Sequence, residues 1–549
     1  MVKKILSSDS AGKRGGRRTK KTSLVAVESL EPRLALAGIS AGPMLHLGDL
    51  TPAQHADAMS DRAHYLESQR SLHSILTDGQ WLSTHRDINT FEGGTVKSVR
   101  KVDGNNYTFS SASPTQLTAR NSYVLSDASS PVYTVNWVVQ VNPLQDTFIL
   151  RDPTTPEREA HGRYDRKTDT MVLLINGPAG SGAQPTNGPA WGITTNYYTH
   201  VRGGSGAVTQ AAGDPIMRLS QLTRAEQRDA HRDVTAYLAK QRALRKLFAD
   251  GQWVSTHRDI NVHDAGNRTS ITKTDGNNYR FSVASSTQLA AVNSYALSDA
   301  DPTIYKVNWM VQVDPFRETI ILRDPATPSR EAQGRYDRKT DTMVLMINGP
   351  AGPGAEPSRG PAWGITTNYY THVRGGSRPV TEARGEPILR LAQLTGSQRR
   401  DAHADTARYL RKQQAMQSLL ADGQWMSTHR DINVFEGGNV TSTEKFDGNN
   451  HTFSVASPTQ LGAVNSYLLG NDVSTVYTVN WTVQIDPFVG GFIMRDPTTP
   501  TREVFGRYDS RTDTFVLMIN GPAGSNAQPS SGPAWGITTN YYTHVRTSG

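Results

Sequence analysis

The stretch GPAWGITTNYYTHVR occupies residues 188–202 and recurs letter for letter at 360–374 and 532–546. Other strings keep the same interval of 172 residues. DGQW begins at Asp78, Asp250 and Asp422, STHRDIN at Ser83, Ser255 and Ser427, and DGNN at Asp103, Asp275 and Asp447. Solenoid repeats are about 20–50 residues long, so this period is too long for one, and each copy is the size of a domain. The chain reads as a tandem array of modules at 44–206, 216–378 and 388–549. Polar Gly/Ser-containing linkers are expected at 207–215 and 379–387. Within the repeated stretch, Trp191, Ile193, Thr195 and Tyr197 alternate with Thr194, Asn196, Tyr198, His200 and Arg202. That is the period of a strand, expected to close the β part of each module against its first strand.

Working backwards, each copy opens on a helix. Thr51/Gln54, Thr223/Glu226 and Thr395/Gln398 have capping-box spacing, and Pro52 suits a first helical position. Ala230, Val234, Tyr237, Leu238, Leu244, Leu247 and Phe248 form an apolar stripe of helical period, expected to pack on the β part of the same module. Gly79, Gly251 and Gly423 should stop the helices. Beyond them the period is two. In VYTVNWVVQV (132–141), Tyr133, Val135, Trp137, Val139 and Val141 make a core face. Hairpins are expected about Asp165–Thr168 and at Asp103-Gly104. About eight short strands per module, all close in sequence, predict an antiparallel barrel. The fold class is therefore mainly β with α: three tandem modules, each an N-terminal amphipathic helix plus a small, about eight-stranded β-barrel.

Gly79-x-Trp81, with Arg202 at the far end of the copy, resembles the G-x-W and terminal basic residue of lipocalin-like barrels. Gly251/Trp253/Arg374 and Gly423/Trp425/Arg546 repeat it, and TVNW (134–137) is similar to an avidin-type strand. The resemblance implies a small barrel with the arginine over the tryptophan as a cation–π contact. Polar residues are densest at Ser83-Thr84-His85-Arg86-Asp87. Strict alternation would put Trp81, Ser83, His85 and Asp87 on one side. Neighbours on one strand lie roughly 6.5–7 Å apart, too far for a serine triad, and no nucleophile elbow or HExxH accompanies them. Arg151/Asp152 and Arg163/Asp165 read as structural ion pairs. The candidate ligand-binding set is Trp81, His85, Asn136, His200 and Arg202, with Trp253, His257, Asn308, His372 and Arg374, and Trp425, His429, Asn480, His544 and Arg546. No metal set, cofactor motif or catalytic residue is assigned.

The 549 residues include no cysteine, which excludes disulfides, thiolate metal sites and cysteine nucleophiles. No apolar run is long enough to span a membrane as a helix. Of the net charge of +8, residues 1–40 supply +6 through nine Lys/Arg against three acids, leaving +2 for all the rest. The folded modules are thus near neutral and not built for nucleic acid. The basic leader, 1–43, ends in SLEPRLALAG (29–38) with Ala35-Leu36-Ala37 before Gly38, a pattern of export and cleavage. Leu30-Glu31-Pro32-Arg33, Leu34 and Leu36 resemble the LEPR-XLL motif, with alanine at 35 where leucine is usual. That motif implies an exported or cell-surface bacterial protein of the kind found in planctomycetes. Two function classes follow. One is a non-catalytic exported array giving reach or multivalent binding of a polar ligand such as a polysaccharide or another cell-envelope component. The other is a barrel enzyme (lyase, isomerase or hydrolase) acting on a small polar substrate in each module. Barrels filled by Tyr133, Trp137 and Val139 favour the first, and a pocket lined by His85, Asn136 and Arg202 favours the second.

Overall fold

The computed structural model describes residues 44–546, apart from 93–94, 114–115, 125–131, 179–190, 204–215, 265–266, 297–303, 328, 351–362, 376–387, 437–438, 469–475 and 523–534. The leader and both expected linkers lie outside the described residues, as do the side chains of Trp191, Trp363 and Trp535.

In the first module helix α1 spans Pro52–Thr77, with Thr51 and Gln54 bonded reciprocally as a capping box and Pro52 in the first turn. It ends at Asp78, and Gly79 follows with φ +79°. A Cβ on Gly79 would stand 2.1 Å from the Val201 carbonyl oxygen, so only glycine lets the chain turn from helix to barrel there. Nine strands follow: β1 (Gln80–Glu92), β2 (Thr95–Lys101), β3 (Asn105–Ser111), β4 (Gln116–Val124), β5 (Val132–Asn142), β6 (Thr147–Asp152), β7 (Thr155–Asp165), β8 (Thr170–Pro178) and β9 (Trp191–Val201). The order is β2-β1-β3-β4-β5-β6-β7-β8-β9, all antiparallel, and β9 pairs back onto β1. Eight strands therefore close a barrel. The ninth, β2, hangs on the far half of β1: Trp81 and Leu82 pair with β3, whereas Arg86 to Glu92 pair with β2. Asp103-Gly104 is thus a turn from β2 to β3, not the hairpin expected there, because β1 lies between the two. The second module repeats the plan with α2 (Arg224–Phe248) and β10–β18, from Gln252–Asp264 to Trp363–Val373. The third has α3 (Gly396–Leu420) and β19–β27, from Gln424–Glu436 to Trp535–Val545.

Each barrel is filled by its inward-facing residues. Val135, Trp137, Val139, Val141, Phe148, Leu150, Leu173 and Tyr198 share one core with Leu72 and Leu76 from the last turns of α1. Trp81 donates from Nε1 to the Leu76 carbonyl at 3.0 Å, so the helix end stops one end of the barrel.

The other half of each helix packs on its own barrel and on that of a second module. Tyr237 of α2 stacks on Tyr197 of the first module at 4.4 Å, Tyr409 of α3 on Tyr369 of the second at 4.4 Å, and Tyr65 of α1 on Tyr541 of the third at 4.3 Å. The expectation of packing within one module is corrected: the stripe is one face, shared between two barrels. Polar contacts repeat the same cycle. The amides of Gln312, Gln484 and Gln140 donate to the carbonyls of Thr194, Thr366 and Thr538 at 2.9, 2.9 and 3.0 Å. Asp103, Asp275 and Asp447 accept from the amides of Leu219, Leu391 and Leu47. The second module sits on the first, the third on the second, and the first on the third. A repeated heterologous contact that returns to its start after three steps is a ring, here within one chain, and the described residues form one compact unit. Near its centre Arg151–Glu159, Arg323–Glu331 and Arg495–Glu503 form buried pairs, and Arg323 also reaches Glu159 at 3.5 Å.

Candidate functional site

The first strand positions the polar string differently from simple alternation. Trp81 pairs with His200 and Ser83 with Tyr198, but the register slips between Ser83 and His85, so that His85 pairs with Tyr197 and Arg86 with Asn196. This is a β-bulge: one extra residue reverses the faces beyond it. Trp81 and Ser83 point inward, His85 and Asp87 outward, and Arg86 inward. The expected common face of Trp81, Ser83, His85 and Asp87 does not exist, and the bulge recurs at Ser255/His257 and Ser427/His429.

The outward pair is an interface. Asp87 accepts from the hydroxyls of Ser285, Ser286 and Thr287 at 2.6, 2.9 and 2.9 Å and from the Thr287 amide at 2.9 Å. Burial pushes its carboxyl up, but these four bonds outweigh it and hold it below the usual range. Asp259 receives Ser457 and Thr459 in the same way, and Asp431 receives Ser113. His85 and His429 are pushed down to about 4 by burial, and His257 also goes down. Ser286 Oγ lies 3.2 Å from His85 Nε2. A triad nevertheless needs the carboxylate on the imidazole, and here it holds the serine hydroxyl. Pro114 and Pro458 occupy the position of Ser286 in the other copies. The cluster joins one module to the next.

The remaining candidates separate. His200 stacks on Trp81 at 4.2 Å, His372 on Trp253 at 4.2 Å and His544 on Trp425 at 4.1 Å. Histidine, not arginine, therefore covers the tryptophan, correcting the expected cation–π contact. Arg202 is 58% exposed and bonds Asp169 at 2.9 Å; Arg374 and Arg546 bond Asp341 and Asp513 likewise. His200 Nδ1 also reaches Asp169 at 2.9 Å. Against the upward push of burial, His200 and Arg202 hold the Asp169 carboxyl at about 2. Asn136, Asn308 and Asn480 are exposed on the outer barrel face. The five residue types thus occupy a helix-stopped barrel end, a module interface and an outer wall. The expected ion pairs are re-sorted too: Arg151 holds Glu159, and Arg158 holds Asp152 at 2.8 Å.

What alternation missed is the residue the bulge turns inward. Arg86 is 6% exposed, lies 5.2 Å from the Tyr123 ring centroid, and faces Tyr198 and Tyr107. Arg258 has Tyr295 at 5.3 Å and faces Tyr370 and Tyr279. Arg430 faces Tyr542 and Tyr467. Arg258 and Arg430 each donate to one backbone carbonyl, of Ala296 and Leu468. Among the described residues no carboxylate lies within ion-pair distance of Arg86, Arg258 or Arg430, and the Nε of each has no partner. Around them Tyr107 and Tyr279 hydroxyls, His451 Nε2, and the Oδ1 atoms of Asn196, Asn368 and Asn540 are also buried without partners. Arg86 lies six residues along β1 from its start beside the helix end, roughly 20 Å at strand rise. Its neighbours Tyr107 and Tyr198 belong to the core that Leu72 and Leu76 of the helix also join. An Arg reported only by a slip in register is invisible to period-two reading. The signal available in the sequence was the recurrence of an arginine within the first strand of all three copies.

No protein-family model matches the chain, and no curated protein matches its sequence. Among solved structures, a redesigned β-barrel is similar over 24% of this chain and 96% of its own, at 13% identity and TM-score 0.15. A candidate outer membrane protein of Bacteroides fragilis is similar over 55% of this chain and 99% of its own, at 12% identity and TM-score 0.16. The di-domain aromatase/cyclase StfQ of steffimycin biosynthesis is similar over 67% and 92%, at 9% identity and TM-score 0.10. Likenesses of this size say nothing about activity.

Proposed function

We propose that this chain is a non-catalytic, exported binding protein whose ring presents three equivalent barrels to a polar ligand such as a glycan of the cell envelope. The observation that carries the reading is the closed cycle of identical contacts between modules. Rotation about one axis sets the three barrel ends at one level, a geometry suited to a repeating surface, where linked sites multiply avidity. The dispersal of Ser83, His85 and Asp87 to opposite sides of a barrel wall supports the absence of catalysis. Export rests on the leader sequence, with the mature chain starting near Gly38. A glycan array probed with the intact chain, followed by titration calorimetry of each captured sugar, tests the reading. Several sites per chain and an unchanged ligand are expected. A captured compound that is converted on standing would instead favour the barrel-enzyme reading.

A further inference from the structure

We infer that each barrel takes a carboxylate-bearing, hydroxylated ligand of the sugar-acid kind on its buried arginine: Arg86, Arg258 and Arg430. This rests on the reading of the chain as a three-site binder and names the chemistry of its sites. A buried guanidinium without a counter-charge is destabilising, yet three barrels hold one at the same place. Each copy turns it inward by the same bulge. The nearby acid is not available to it, because Asp152 is taken by Arg158 at 2.8 Å and by the Thr154 hydroxyl at 2.6 Å. Asp324 and Asp496 are taken by Arg330 and Arg502 in the same way. Lys101, Lys273 and Lys445 stand opposite the three arginines in the ladder and add to the positive field.

The partnerless atoms around each arginine set the rest of the ligand. Guanidinium and carboxylate match as planar forks. The Tyr107 and Tyr279 hydroxyls, and His451 Nε2 in the third copy, add a second polar contact beside the arginine. Asn196, Asn368 and Asn540 each give their amide hydrogens to a tyrosine hydroxyl and keep Oδ1 free. An acceptor beside the cation suits a ligand that carries a hydroxyl as well as a carboxylate. The rings of Tyr107 and Tyr198, 5.4 Å apart edge to face, give a wall for its CH-rich body.

The test is calorimetric titration of the intact chain with D-glucuronate, D-glucose, benzoate and sulfate. Glucuronate is expected to bind with up to three equivalents, ahead of benzoate and sulfate. Glucose, which lacks the carboxylate, should be at least about tenfold weaker, as for loss of a charged hydrogen-bond partner. The triple variant R86M/R258M/R430M should lose glucuronate binding while melting no lower than the parent, and the matching lysine variant should keep part of it. If the triple variant does not fold, R258M alone should lower the equivalents from three to two. Unchanged glucuronate binding in the methionine variants, preference for sulfate, or no carboxylate binding by the folded parent would overturn the inference. Glucose bound as well as glucuronate would overturn it too, while leaving the three-site reading in place.

Discussion

Trp253 meets three partners at once. Its ring stacks on His372 at 4.2 Å and stands edge-on to Tyr336 at 5.8 Å, and its Nε1 donates to the Phe248 carbonyl at 3.1 Å. Trp253→Ala should cost about 3–5 kcal/mol, read as a lower urea midpoint. Arg374 is 55% exposed and pairs only with acids at the surface, so Arg374→Ala should cost under about 1 kcal/mol. Equal losses would refute the assignment of histidine, and not arginine, to the tryptophan face. A second prediction concerns His85 and His429, which face Asp87 and Arg100, and Asp431 and Arg62. Burial pushes both down from 6.5 to about 4. Below pH 6.5 the unfolded chain binds protons that the folded chain refuses until about pH 4, so stability drops as pH falls through that window. The loss should be on the order of 1–3 kcal/mol for each histidine. Melting temperatures followed from about pH 7 to about pH 4.5 should decline, and less steeply in H85Q/H257Q/H429Q. His263 and His451, held at about 4 and about 3 by burial, sustain the remainder.

At the scale of elements, each helix is one amphipathic face serving two barrels. Leu244 and Phe248 lie in the second module's core, while Val234 and Tyr237 pack with Val172, Leu174 and Tyr197 of the first. The helical period told which residues are buried and could not tell by what, since periodicity records a face and carries no label for its partner. Tyr237→Ala should cost about 3–5 kcal/mol and, unlike Leu244→Ala, should raise amide exchange in the first module's β9. Equal exchange in both variants would reject the shared helix. The repeated fifteen residues belong to the same account. Tyr198 and His200 of β9 face the barrel, while Ile193 and Tyr197 face the next module. The strand closes one barrel and docks another. The bulge in β1 escaped the sequence because an inserted residue looks like any other until the partner strand shows the slip.

At the scale of the whole molecule, the ring makes the modules interdependent. A protease site inserted at 207–215, once cut, should leave the two fragments co-eluting on size exclusion and melting in one transition. Fragments that separate in native buffer would show that the interfaces depend on the linker. What the sequence left open was that Gln140, Gln312 and Gln484, or Asp87, Asp259 and Asp431, have partners 118 or more residues away across a module boundary.

From sequence alone came the three copies, the helix with its capping box and glycine stop, the core face of VYTVNWVVQV and the closing role of GPAWGITTNYYTHVR. All of these are local: they rest on spacing, caps and alternation, which short-range sterics and burial impose on neighbours in the chain. Only the tertiary structure decided the ring, the helix shared between barrels, the histidine over the tryptophan and the inward arginines. Each of these depends on which surfaces meet at long sequence separation and on one slip in register, and neither leaves a periodic mark.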